Sequence, residues 1–194
     1  MSFAQRHYRV LLVSTGDKFI KEIGGLLRED RYHKDISNSA SDARCKLLEN
    51  PYDIVIVNAP LSDEFGSRLC IDACSNNKTI ALIFASNDIY EEIYAKTSAY
   101  GVFVLSKPTS KNMVSQVFSL MLSARERLRS VEKKADKAES KLDEVRIVNK
   151  AKWMLIEHEG MSESDAHKYI EKSAMDAGIT KKLAAQMIID NYFN

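Results

Sequence analysis

Between Pro108 and Gly160 the chain carries neither glycine nor proline, the two residues that most readily end a helix. Within that stretch Val117, Met121, Ala124, Leu128, Val131, Ala135, Ala138, Leu142, Val145 and Asn149 follow one another at alternating spacings of four and three residues. An apolar period of 3.5 residues, sustained over successive heptads, predicts a long helix that winds with a second one into a left-handed coiled coil. The charges between these positions, in R-E-R, E-K-K, D-K and E-S-K, suit a solvated surface. A single charged helix lying on its own domain needs no such sustained period, so the coiled coil is preferred. Ala135 and Ala138 thin the seam, and Asn149 is the kind of polar seam residue that fixes alignment at some cost in stability. The feature divides the chain into a domain over residues 1–120, a coiled-coil linker over 121–149 and a small domain over 150–194. A parallel homodimer is expected, with Met121, Leu128, Val131, Leu142, Val145 and Asn149 at its interface.

Before this helix, continuous apolar runs alternate with helical patterns. Tyr8 to Val13, Asp53 to Val57, Thr79 to Phe84 and Val102 to Leu105 read as strands, with a weaker one at His33 to Ser37. Helical segments lie between them, including one with Phe19, Ile20, Ile23, Leu26 and Leu27 and others near Ser41 to Glu49, Glu64 to Cys74 and Ile89 to Ala99. Strands that are apolar throughout, rather than alternating, belong to a parallel sheet covered on both faces. The fold class is therefore α/β: a five-stranded, parallel, doubly wound, flavodoxin-like domain, followed by the long helix and a small three-helix C-terminal domain.

The order and lengths of these elements resemble the receiver domain of bacterial response regulators. Tyr52-Asp53-Ile54-Val55-Ile56-Val57 looks like that family's third strand, Gly66 matches the glycine after its phosphorylation loop, and Lys107-Pro108 matches the lysine-proline after its fifth strand. The resemblance implies an acidic pair after the first strand, an aspartate after the third and a hydroxyl after the fourth. This sequence has Ser14 and Thr15, Asn58, and Ala85 at those places. An amide cannot form an acyl phosphate, and magnesium is usually anchored by one or two carboxylates. Asp17 lies near the first loop, and Asp53 sits at the wrong end of its strand. Lys107 is then expected to make a structural hydrogen bond. The resemblance is thus to a pseudo-receiver, governed by a regulatory protein or ligand rather than by phosphorylation.

From Val148 to Tyr192 three helical segments can be marked, the first of them the end of the long helix. The long helix stops at Gly160, Ser162-x-x-Asp165 approximates a capping box with Met161 placed to staple against Ala166, and Gly178 and Thr180 separate the last two helices. The third helix is read as carrying Leu183, Met187 and Ile188 on one side, with Leu183 and Ile188 joining Leu155 and Ile170 in the apolar centre. Ala151-Lys152 with Leu155, then Ser162, Ala166, Tyr169 and Ile170, the Lys172-x-Ala174-Met175 string, and Leu183-Ala184 with Ile188 together resemble the ANTAR domain, an RNA-binding module of transcription antiterminators. Trp153 departs from it where the family commonly has a small residue, and Lys172 stands where arginine is frequent. The resemblance implies a dimer that binds hairpins in a nascent mRNA, with Lys152, Tyr169, Lys172, Lys181 and Lys182 as candidate RNA contacts.

The residues themselves are less one-sided. From Val148 onward, Lys150, Lys152, Lys168, Lys172, Lys181 and Lys182 face Glu157, Glu159, Glu163, Asp165, Glu171, Asp176 and Asp190, and the whole chain of 194 residues has a net charge of +1. Nucleic-acid binding must come from local placement, because no global basic field exists. The plainer reading is a solvated set of lysines around a core tyrosine. A DNA-binding helix-turn-helix and a protein-binding adaptor stand as alternatives. Cys70 and Cys74 are four apart, but no other Cys or His completes a zinc spacing, so buried small hydrophobes are expected rather than a metal site. With no glycine-rich phosphate loop or nucleophile elbow, neither an enzyme nor a cofactor is expected. Three cysteines and the lack of a signal peptide or long apolar run suggest a cytoplasmic protein without a membrane segment.

Overall fold

The computed structural model describes residues 6–75 and 78–193. They fall into two compact units, Met1–Arg129 and Ser130–Asn194. The first contains β1 (Tyr8–Val13), α1 (Asp17–Leu26), β2 (Tyr32–Ser37), α2 (Ala40–Glu49), β3 (Ile54–Asn58), α3 (Ser67–Cys74), β4 (Ile80–Ser86), α4 (Tyr90–Thr97) and β5 (Phe103–Lys107). α5 (Lys111–Glu159) begins in this unit and continues into the second, which adds α6 (Glu163–Ala177) and α7 (Lys181–Phe193).

All strand pairs are parallel, in the order β2-β1-β3-β4-β5. The apolar strands are buried on both faces, as their unbroken composition requires. Leu11, Val13, Val55, Val57 and Ile83 pack with Ala40, Leu69, Cys70 and Ile93 of α2, α3 and α4. Val10, Leu12, Ile56, Leu82 and Phe84 pack with Ile23 of α1 and Val114, Phe118 and Met121 of α5. Each large side chain so enclosed contributes about 1.5–3 kcal/mol relative to exposure. Cys70 and Cys74 are core residues; burial raises both thiols, that of Cys74 to about 11. Cys45 is exposed.

One glycine is fixed by sterics. Gly66, ahead of α3, has φ 105°, and a Cβ there would lie 2.7 Å from Val57 Cγ1. Gly66→Ala is expected to cost about 1–3 kcal/mol from overpacking alone, read as a lower denaturation midpoint. An unchanged midpoint would show that β3 and the loop yield.

The first unit reaches past residue 120, and this corrects part of the expected seam. Met121 is fully buried against the sheet, and Leu128 packs on the same cluster. Met121 is thus taken up by its own domain, and Leu128 is taken up in part. Polar groups fasten the same stretch. Asp53 accepts from Arg125 Nε at 3.1 Å, Arg129 Nη2 at 2.6 Å and the Arg9 amide at 3.0 Å, while Tyr8 Oη donates to Glu126 at 2.9 Å. The Arg125 and Asp53 side chains are only 7% and 13% exposed. Asp53, at the far end of β3 from Asn58, is thus the anchor for α5.

In the second unit, Ala151 and Leu155 of α5 pack with Ala166 and Ile170 of α6 and Ala185 and Ile189 of α7. Ser162 Oγ accepts from the Asp165 amide at 3.1 Å and donates to its carboxylate at 2.7 Å, forming the expected cap, and Met161 packs on the core beside Ala166. Gly178, at φ 62°, closes α6: its N–H donates to Met175 O and that of Ile179 to Ala174 O. Thr180 Oγ1 accepts from the Leu183 amide at 3.3 Å. The packed side of α7 differs from expectation. Leu183, expected in the apolar centre, is about half exposed, as is Met187, whereas Ala184, Ala185 and Ile189 are buried and Ile188 partly so, because small alanines let the short helices approach.

Candidate functional site

At the carboxyl ends of β1, β3 and β5 the backbone brings Ser14, Asn58 and Lys107 into one hydrogen-bonded string. Asn58 Nδ2 donates to Ser14 Oγ at 3.0 Å, and Lys107 Nζ donates to Asn58 Oδ1 at 2.8 Å and also to Ala59 O. Ser14 Oγ further accepts from the Gly16 amide at 3.1 Å. This is the switch point of the sheet, where β1 has β2 on one side and β3 on the other, the usual ligand position in such folds. Burial lowers the Lys107 pKa. Thr15 is exposed and outside the string, and the Ala85 methyl is buried at the end of β4. A divalent cation does not fit these residues: hard cations take carboxylates, and the amide oxygen that remains is occupied by an ammonium group. Among the described residues no group of three or more His, Cys, Asp or Glu is placed to hold a metal.

In the second unit the candidate RNA contacts divide into two kinds. Lys152 Nζ lies 3.0 Å from Glu163 Oε1, Lys181 is paired with Glu171, and Lys182 with Asp143. Lys172 is exposed, as is Lys168 one turn before it, and among the described residues neither makes an ion pair. Tyr169 between them is 47% exposed, so it is a surface residue rather than a core one. Sequence reading passed over Trp153 as a site residue. It is 70% exposed and shares a concavity with Asn149, Lys152, Ile156 and Glu163. A bulky aromatic where small residues are common was the available signal. Of the proposed interface, Val131, Leu142 and Val145 are each more than half exposed and Asn149 is exposed, forming an apolar stripe without cover in the single chain.

Residues 136–189 match the family model of the ANTAR domain. The second unit thus carries an ANTAR match, and the first has the receiver fold. The chain is 27% identical to the transcriptional regulatory protein PdtaR of Mycobacterium tuberculosis, over 94% of this chain and 90% of that protein. The fold of its first unit is similar to the signal receiver domain of an HD domain-containing protein from Pseudomonas fluorescens Pf-5, with TM-score 0.57 and 21% identity over 69% of this chain and 97% of that one. A structure described as an adenylate cyclase from Rhodopirellula baltica is similar at TM-score 0.61 and 17% identity, over 68% of this chain and 98% of that one. The chain has no helix, among the described residues, long and apolar enough to cross a membrane.

Proposed function

We propose that this chain is a transcription regulator that acts in the cytoplasm as a homodimer, binds hairpins in nascent mRNA and controls transcription termination, and that its receiver-fold unit is not phosphorylated. The RNA reading is carried by one observation: within the ANTAR match, α6 presents exposed Tyr169 between Lys168 and Lys172, which have no competing acid partner among the described residues. An exposed ring stacks on an unpaired base while neighbouring cations meet phosphates, the combination suited to RNA loops. Lys152, Lys181 and Lys182 join this face only by exchanging a carboxylate for a phosphate. The test is competition of an RNA hairpin against duplex DNA at matched salt. Preference for DNA would favour a helix-turn-helix reading of α6, Gly178 and α7, and binding of neither would leave a protein-binding adaptor.

The dimer is supported by the uncovered stripe of Val131, Leu142 and Val145, with Asn149 in line. Apolar side chains at this period bury themselves against a copy of the same helix. Leu142→Asp places an unpaired charge in that seam and is expected to give monomers at micromolar concentration by sedimentation, against a wild-type dimer. A wild-type monomer would remove the interface.

The absence of phosphorylation is supported by Asn58, an amide already bonded to Ser14 and Lys107. Intact mass after incubation with a small phosphodonor and magnesium is expected to show no adduct. A stoichiometric, base-labile phosphate would locate a carboxylate nucleophile elsewhere. The input is then a regulatory protein or ligand that acts on the receiver-fold unit.

A further inference from the structure

We propose that the pairing surface between two copies of this chain runs on past Asn149 to Trp153, whose indole packs against Val148 of a parallel, in-register copy. The inference rests on the homodimer reading and names what completes its interface. With Met121 taken up by the sheet and Leu128 in part, the seam open to a partner shortens to the stretch from Val131 to Asn149, roughly 27 Å of helix. Its anchors are Val131, Leu142 and Val145, because Ala135 and Ala138 offer one methyl each. Stable interfaces bury about 800 Å2 on each partner, and a seam this thin needs another large apolar group to approach that area. Trp153, 70% exposed, supplies it, since a buried indole contributes about 150–250 Å2. It follows Leu142 by eleven residues, close to three turns of helix, and Val145 and Asn149 lie between them on the same stripe. Ala151 and Leu155, two residues to either side of it, are buried in the unit's own core, so the indole faces away from that core.

The residues beside the seam select a second copy as the occupant and fix its direction. Ala135, Leu142 and Asn149 hold one of the two alternating seam positions, and Val131, Ala138 and Val145 hold the other. In a parallel, in-register pair, the residue immediately before the first kind faces the residue five further along the partner helix. Lys134 then meets the partner's Glu139, an opposite pair, and Val148, only partly covered by its own core, meets the partner's Trp153. By symmetry each contact is made twice. Lys141 meets the partner's Arg146, a like-charged pair that Asp143 tempers through its own attraction to Arg146. An antiparallel copy instead sets Lys134 and Lys141 against lysines and separates Trp153 from Val148. Asn149 adds to the choice, because a single amide in an apolar seam finds its equal only in register. RNA fits this spot less well: Lys152, the cation beside Trp153 in its concavity, is engaged by Glu163.

Closure at Trp153 makes dimerisation a property of the residues that match the ANTAR model as well as of the helix ahead of them. Sedimentation equilibrium of the full chain across a dilution series provides the test, with circular dichroism to confirm that each variant folds. Trp153→Gln is expected to raise the dimer dissociation constant about tenfold while leaving helix content unchanged. At low salt Lys134→Glu is expected to raise it about threefold, and the further change Glu139→Lys to restore it, because the exchange keeps the opposite pair of a parallel copy. A tighter dimer in Lys134→Glu, as an antiparallel copy requires, overturns the proposal. A dimer that is lost in Leu142→Asp yet equally strong in Trp153→Gln overturns this extension and leaves the homodimer reading in place, whereas a monomeric wild type overturns both. Loss of hairpin binding in Trp153→Gln with an unchanged dimer constant would assign the ring to RNA and overturn it as well.

Discussion

Asp53→Ala is expected to lower the unfolding free energy of the first unit by about 3–5 kcal/mol, the cost of leaving a buried charge without its partner. The substitution strips Arg125 and Arg129 of a shared acceptor and leaves the Arg9 amide without its side-chain partner. Arg125, at 7% exposure, has little access to water in compensation. Asp53→Asn keeps an acceptor but loses the charge, so its effect should be smaller. Adding Arg125→Met to Asp53→Ala should recover part of the stability, because removal of both buried charges avoids the desolvation that either alone incurs. Hydrogen exchange of the β1 and β3 amides reads this unit without interference from the other. A destabilisation below about 1 kcal/mol would place the pair among solvent-screened surface pairs.

The combined replacement of Lys152, Lys172 and Lys181 by alanine should weaken hairpin binding roughly a hundredfold near 0.1 M salt, across sequences rather than for one hairpin alone. Each phosphate left without its lysine lowers the salt slope by about 0.7–0.9, so the slope should fall by about 2–3 if all three contribute. The three lysines are not equal. Lys172→Ala should account for the largest single share, since Lys152 and Lys181 direct part of their attraction to Glu163 and Glu171. Tyr169→Ala should cost about 1–3 kcal/mol and leave the salt slope alone, which separates stacking from charge. Circular dichroism confirms that each variant folds. An unchanged slope in the triple variant would sink the RNA face.

The sheet was legible because β1, β3 and β4 are apolar at nearly every position, a composition that only a doubly covered parallel strand explains. The caps of α6 were legible because Ser162, Asp165 and Gly178 act on backbone within a few residues of themselves. What failed to show was anything that depends on distant partners. The heptad pattern is continuous through Met121 and Leu128, and no spacing tells whether such a residue meets a second chain or its own sheet. α7 has apolar residues around its circumference, from Leu183 to Ile189, so periodicity selects no face and the choice passes to the small Ala184 and Ala185. Asp53 finds Arg125 and Arg129 across 72 and 76 residues, and Lys182 finds Asp143 across 39. The amide at Asn58 was plain in the sequence, but its place between Ser14 and Lys107 required the strand ends to be set side by side.

Trp153 is the chain's single tryptophan, and it stands 70% exposed on the part of α5 that belongs to the second unit. Its indole therefore acts as a built-in optical reporter of that unit, while the tyrosines alone represent the sheet. Emission from so wet a ring lies far to the red. Any partner that covers the concavity beside Asn149 and Ile156 will draw the emission toward the blue or quench it, with no label attached.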